Sequence, residues 1–164
     1  MGTVHAVRTM RLGWQEFGAR AEELARRIER GMDGRGRYDI VVSIARGGTP
    51  LAMVLADRLD ADMQIIDVKS YKGINERVEP QIMSKLKANL RGRRVLVVDD
   101  LVDEGHTLQA VVAHVKEKGA VDVATAVMFR KPWTNFEPDF HSGVTKRWVI
   151  FPWEEGEYKR LMRK

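Results

Sequence analysis

A chain of 164 residues with no cysteine and a formal net charge of +5 is long enough to bury a substantial core as one domain, and it excludes disulfides and thiolate chemistry. No apolar run approaches the length of a bilayer span, and the N-terminal residues lack the apolar stretch of a signal peptide, so a cytoplasmic chain without membrane contact is expected. The positive excess suits a polyanionic small substrate as well as a nucleic acid.

Trp14, Phe17, Ala21, Leu24, Ala25 and Ile28 recur at helical spacing and predict an amphipathic helix whose aromatics pack against the core. Its charges interleave, as in Glu22-Glu23-Leu24-Ala25-Arg26-Arg27. That is the pattern of a solvated face with i, i+4 pairs, so no nucleic-acid partner is expected. Glycines at 31, 34 and 36 end the helix. Residues 38–45 are apolar and β-branched and read as a buried strand. A helix follows over 49–59, with Thr49 as N-cap and Pro50 in the first turn. Residues 63–68 read as the next strand, and 70–80, with Gly, Asn and charges, as a long loop. Val95, Leu96, Val97 and Val98 have the length and branching of a strand buried on both faces. A helix from Leu108 to about Lys118 and a strand over 121–129 come next, and from Arg130 onward the pattern is irregular and aromatic-rich. Strands and helices alternating in this way predict an α/β fold, a single domain with a parallel sheet flanked by helices.

The strand at 95–98 ends in Asp99 and Asp100, and Asp103, Gly105 and Thr107 follow before the helix. Open α/β sheets place ligands at such carboxyl strand ends. The glycine lets backbone N–H groups turn toward an anion, and the helix adds the positive end of its dipole. A phosphate suits the amides of Glu104, Gly105, His106 and Thr107 and the Thr107 hydroxyl, whereas Asp99 and Asp100 suit sugar hydroxyls, a divalent metal, or both. A ligand with a ribose and a terminal phosphate satisfies the layout. Acids that merely cap the next helix are the bland alternative. A receiver domain is the other, but it needs a phosphoacceptor Asp about two strands later, and no suitable strand downstream ends in one.

This stretch resembles the ribose-5-phosphate signature of type I phosphoribosyltransferases: an apolar strand, two acids, two aliphatics, Asp, a hydroxyl residue, Gly, any residue and Thr. Glu104 departs from it, standing where the family usually has Thr or Ser, and is expected to point outward. Ile44-Ala45-Arg46-Gly47-Gly48-Thr49-Pro50 also joins a strand to a helix and resembles the family's pyrophosphate loop, which implies that Arg46 and Gly47 hold the leaving group. Ser70-Tyr71 with Arg77 six places on resembles the catalytic loop of 6-oxopurine phosphoribosyltransferases, in which the Ser-Tyr pair closes over the site and the basic residue reaches the pyrophosphate. Lys72, Asn75 and Glu76 read as ordinary surface charges and polar groups.

Phe129-Arg130-Lys131-Pro132-Trp133 and the segment around Trp148 and Val149 resemble the base-binding hood of bacterial xanthine–guanine and archaeal purine phosphoribosyltransferases. The resemblance implies a small hood over roughly 130–155. In it Lys131 would meet the purine 6-oxo group, Trp148 would stack on the base, and backbone near Val149 would contact the exocyclic substituents. Trp133 and Trp153 read as packing. The resemblance implies a pentosyl-transferring enzyme that takes phosphoribosyl pyrophosphate, a 6-oxopurine and Mg²⁺. Asp103 would be the general base or acid, Asp100 a metal ligand, and the chain a homo-oligomer, dimer or tetramer. The alternative is a non-catalytic regulator binding phosphoribosyl pyrophosphate or nucleotide, for which Glu104 is the main support. Which 6-oxopurine is preferred stays open.

Overall fold

The computed structural model describes residues 8–32, 34, 36–72 and 78–163. At its centre β-branched runs make two neighbouring parallel strands. They follow, in chain order, strand β1 (Thr9–Arg11) and helix α1 (Trp14–Gly31) as β2 (Ile40–Ala45), then helix α2 (Thr49–Leu59), β3 (Asp62–Lys72), β4 (Val78–Ile82) and β5 (Arg94–Val102). The chain continues through helix α3 (His106–Glu117), β6 (Asp122–Arg130), β7 (Phe140–Val144), β8 (Trp148–Ile150) and helix α4 (Glu155–Leu161). Among the described residues six strands form one sheet in the order β4-β3-β2-β5-β6-β7.

The period-2 alternation of a strand sorts the core into two layers. Val41 of β2 and Leu96 and Val98 of β5 pack with α1 and α2, through Leu24, Ile28, Leu51 and Leu55. Ile40, Val42, Val95 and Val97 pack with α3, through Leu108, Val111 and Val115. Helices on both faces explain why the run Val95, Leu96, Val97 and Val98 carries no polar residue: each is fully buried. On the outer face of α1, Arg20 pairs with Glu16 at 2.9 Å and Arg26 with Glu23 at 3.0 Å.

The sheet is parallel, as expected, from β3 through β2, β5 and β6 to β7, and departs from that only at one edge. β4 runs antiparallel to β3, with Val68 opposite Ile82 and Ser70 opposite Pro80. The segment read as a long loop from 70 to 80 is therefore partly strand. Pro80 cannot donate to a sheet ladder, and it sits on a terminal strand of the sheet, where prolines are tolerated. Thr49 is not the cap of α2 but its first residue. Gly48 caps, without a side-chain bond, and Thr49 Oγ1 lies 3.1 Å from Ser43 Oγ of β2.

Two further strands fall in the aromatic C-terminal region. β7 joins the main sheet beside β6, with Ala126 opposite Phe140. β8 instead pairs in parallel with β1, Met10 opposite Val149, to make a separate two-stranded sheet. An aromatic stack fixes this small layer to the body. Phe151 and Trp153 stack at 4.8 Å and 12°, and Phe17 of α1 meets Trp153 edge-on at 5.1 Å. Trp14, expected to face the core, is mostly exposed, although its ring reaches Trp153 at 6.1 Å.

From β2 the chain turns to β3 on one side, while β5 lies on the other. The connections leaving β2 and β5 at their carboxyl ends thus open a crevice at the point where the order reverses.

Candidate active site

The two connections lie against each other, and this decides where glycine must stand. A Cβ on Gly48 would meet Val98 O at 2.6 Å, Ile44 O at 2.8 Å and Asp99 Cα at 2.9 Å, all backbone. One on Gly47 would run into the Asp100 carboxylate. Only a pair without side chains lets the 46–48 loop reach the acidic end of β5. The Ala45–Arg46 peptide bond is cis. The Arg46 side chain extends into solvent and pairs with Glu157 of α4 at 3.5 Å.

Asp99 and Asp100 belong to β5 itself, and each is bonded by the next amide: Asp100 N donates to Asp99 Oδ1 at 2.9 Å and Leu101 N to Asp100 Oδ1 at 2.6 Å. Burial, reinforced by the charge of Asp100, pushes the Asp99 carboxyl well above the usual carboxylate range. Burial, followed by the charge of Glu154, pushes Asp100 up to about 6. Two adjacent, half-buried acids are costly when both are ionised. A folded-state pKa above the unfolded value means that the native state holds more protons. Stability from Asp100 is therefore lost as pH rises from about 4 to about 6, and the deficit is complete above that window. Asp100→Asn keeps an acceptor for the Leu101 amide and removes the charge. In denaturant unfolding it is expected to stabilise the ligand-free protein at pH 8 by about 2–3 kcal/mol, with no gain at pH 4. The same gain at both pH values would mean that the charge is not its source.

Beyond the acids, a cleft of about 310 Å³ is lined by Asp99 and residues 101–108. Gly105 caps α3 at φ 97°, a left-handed conformation that L side chains rarely adopt, and Phe136 covers the place where a Cβ would stand. The amides of the first turn of α3 open into this cleft without a side-chain cap. Thr107 is at the same end, its Oγ1 lying 3.4 Å from Ser70 Oγ of β3. The Glu104 side chain is exposed, as expected, and pairs with His106 Nε2 at 3.1 Å.

A second cavity, of about 210 Å³, gathers Asp100, Asp103, Lys131, Trp148, Val149 and Glu154, with Leu101 and Phe151. Asp103 lines both spaces and so stands where they meet. Lys131 is buried at 6 % exposure and donates to Arg147 O. Burial pushes its ammonium down from the usual lysine range, against the opposing charge of Asp103. Trp148 is 60 % exposed and presents a ring that the protein does not bury.

The candidate residues of the phosphate loop and the hood thus meet around two adjoining spaces. Tyr71 lies on β3 opposite Glu79, its side chain outside the described residues, and Arg77 lies outside them altogether. Two residues at the site were not singled out from sequence. Glu154 lines the second cavity and accepts from Phe151 N at 3.2 Å, and burial raises its carboxyl pKa. Trp133, read as packing, is half exposed and donates its indole N–H to Asp103 Oδ1 at 2.6 Å. Both depend on contacts across long stretches of chain, for which no local spacing is a signal.

The phosphoribosyl transferase domain model matches residues 12–160. The xanthine-guanine phosphoribosyltransferase of Ruegeria sp. (strain TM1040) is 31 % identical over 152 residues, 87 % of this chain and 84 % of that protein. The crystal structure of the purine phosphoribosyltransferase from Pyrococcus horikoshii Ot3 superposes with a TM-score of 0.80 at 34 % identity, covering 90 % of this chain and 95 % of that one. The bifunctional protein TilS/HprT of Listeria monocytogenes serotype 4b (strain F2365) is 33 % identical over 120 residues, 71 % of this chain but only 18 % of that protein.

Proposed function

The chain belongs to the phosphoribosyl transferase domain family, and from that premise we propose that it transfers the 5-phosphoribosyl group of phosphoribosyl pyrophosphate to a 6-oxopurine, releasing pyrophosphate and a nucleoside 5′-monophosphate. The observation that carries this reading is the position of Asp103 between a cleft ending in free helix amides and a cavity holding Lys131 and Trp148. A 5-phosphate fits the first and a flat base with a carbonyl oxygen fits the second. The ribose carbon to be substituted then lies between them, beside a carboxylate. The pyrophosphate-binding role falls to Arg46 and Gly47, with Arg77 beyond the described residues. The water-excluding role falls to Ser70 and Tyr71 on β3.

In the reaction the bond from ribose carbon 1 to the pyrophosphate oxygen breaks, and the bond from that carbon to purine N9 forms through an oxocarbenium-like state. The proton lost by the base, at N7 of the bound tautomer, passes to the Asp103 carboxylate. Asp99 and Asp100 accept hydrogen bonds from the ribose hydroxyls, and Arg46 balances the charge of the departing pyrophosphate. Among the described residues no cluster of three or more acidic, His or Cys side chains could hold a metal alone. Mg²⁺ is bound through one or two carboxylates completed by substrate oxygens, and the hard oxygens of Asp100, next to Asp99, fit that donor set. When bound there it would neutralise pyrophosphate charge.

Incubation with phosphoribosyl pyrophosphate, Mg²⁺ and a panel of hypoxanthine, guanine, xanthine, adenine, orotate and uracil tests the reading. Turnover confined to the 6-oxopurines is expected, and turnover of a pyrimidine alone, or of nothing, sinks it. No described helix is long and apolar enough to cross a membrane. The reading places the chain in the cytoplasm, and the family resemblance adds self-association into a dimer or tetramer.

A second reading, a regulator that binds the same ligand without turnover, draws on Glu104, whose carboxylate stands beside the phosphate loop, 3.1 Å from His106 Nε2. Glu104→Thr removes that charge and supplies a hydroxyl donor. Its exposure screens the gain to roughly 1 kcal/mol, about five-fold in affinity for phosphoribosyl pyrophosphate. Calorimetric titration reads the change. Unaltered or weaker affinity shows that Glu104 contributes to the site and favours the regulator.

A further inference from the structure

The Asp103 carboxylate is held by a residue the mechanism above does not use. The Trp133 indole donates to Asp103 Oδ1 at 2.6 Å, and the face of the same ring lies 5.6 Å from Lys131 Nζ. Packing explains Trp153, which is stacked on Phe151. It does not explain an indole that is 51 % exposed and keeps its donor on a carboxylate.

The backbone on either side of Trp133 is tied down. Lys131 N donates to Val102 O at 2.9 Å, and Asn135 N donates to Glu104 O at 3.2 Å. Phe136 covers Gly105, and its N–H is bonded by Thr134 Oγ1 at 3.2 Å. The stretch after β6 is thus laced along the 102–105 loop, with Trp133 between two fixed points. Its indole is presented to Asp103 by the backbone rather than by chance rotation of two surface side chains.

We propose that Trp133 is a positioning residue that orients the Asp103 carboxylate for proton transfer with the base, an inference that rests on the phosphoribosyl-transfer reading. An indole N–H is a donor only, so it engages the carboxylate, occupies one oxygen and leaves the other for the purine proton. A general base must stand within hydrogen-bond reach of the proton it takes, and a neighbour that locks its torsions supplies that precision. The ring contact with Lys131 extends the effect. One side chain touches both the group that reads the 6-oxo oxygen and the group that moves the proton, so a base seated on Lys131 meets Asp103 in a set orientation.

Trp133→Phe keeps an aromatic ring and deletes the N–H. In the full-length chain, kcat with the best purine is expected to fall about ten-fold, with KM for both substrates changed by less than about two-fold. In an Asp103→Asn background, where no proton acceptor remains, the same change is expected to alter the residual kcat by less than about two-fold. Equal losses in the two backgrounds, or no loss in either, overturn the proposal. The Trp133 indole N–H resonance, identified by its disappearance in Trp133→Phe, is expected to move upfield in Asp103→Ala, and an unmoved resonance also overturns it. A wild-type chain inactive with every purine removes the transferase reading and the catalytic role together. The resonance then tells that outcome apart from a contact that does not exist in solution.

Discussion

Asp103→Asn is expected to lower kcat by about 10²–10⁴-fold, the usual worth of a positioned proton acceptor, while leaving the dissociation constants of both substrates within about two-fold. The asymmetry follows from what the substitution conserves. Asn has the shape of Asp, and its carbonyl oxygen still accepts the Trp133 indole that now reaches Oδ1, so the 102–105 loop keeps its anchor. The helix amides and Thr107, which the reading gives to the phosphate, are untouched. Only the capacity to take a proton is gone. Single-turnover rates with saturating substrates, set beside calorimetric dissociation constants, separate chemistry from binding. A mutant that turns over at nearly the wild-type rate removes Asp103 from the mechanism. One that loses binding as well makes it a ligand-holding residue instead.

The centre of the fold was legible in sequence because its signals are local. Val95, Leu96, Val97 and Val98 are continuously apolar since helices cover both sides of the strand, and Asp99 and Asp100 interrupt that run at its carboxyl end. The amphipathic spacing of α1 was equally plain, except at Trp14, whose ring lies on the aromatic stack rather than in the core. What escaped was non-local. β8 is three residues long and becomes a strand only by pairing with β1, Thr9 opposite Trp148, from the far end of the chain. β4 carries Pro80 within five residues, which argues against a strand until the strand is known to lie at the edge of its sheet. The same distinction runs through the site. Asp99, Asp100, Asp103, Gly105 and Thr107 stand in order along the end of β5 and the turn into α3 and could be read as a unit. Glu154 and Trp133 act on Asp100 and Asp103 across separations that no spacing rule spans.

Base choice gives the other large effect. Lys131 is buried and offers three donors and no acceptor as an ammonium, one donor being spent on Arg147 O. The remaining donors suit the 6-oxo oxygen of hypoxanthine, guanine or xanthine and oppose the donor 6-amino group of adenine. Lys131→Met keeps the length and apolar stem and deletes all three donors. It is expected to cut kcat/KM for hypoxanthine by about 10–100-fold while leaving adenine nearly unchanged, so that most of the preference disappears. Trp148, exposed beside the cavity, still offers its ring to either base. The freed Arg147 carbonyl costs about 1–3 kcal/mol of stability if water does not reach it, so a melting curve must accompany the kinetics to show that the variant is folded. pH supplies an independent check. Burial lowers the lysine pKa, and once deprotonated the amine gains an acceptor that a 6-amino group can use, so discrimination against adenine should narrow as alkaline pH is approached in the wild type and not in Lys131→Met. Competition between hypoxanthine and adenine, measured on both proteins across that range, decides the matter. A wild-type chain that uses the two bases equally well removes both the role of Lys131 and the 6-oxopurine assignment, because among the described residues no other side-chain donor lining the cavity is buried.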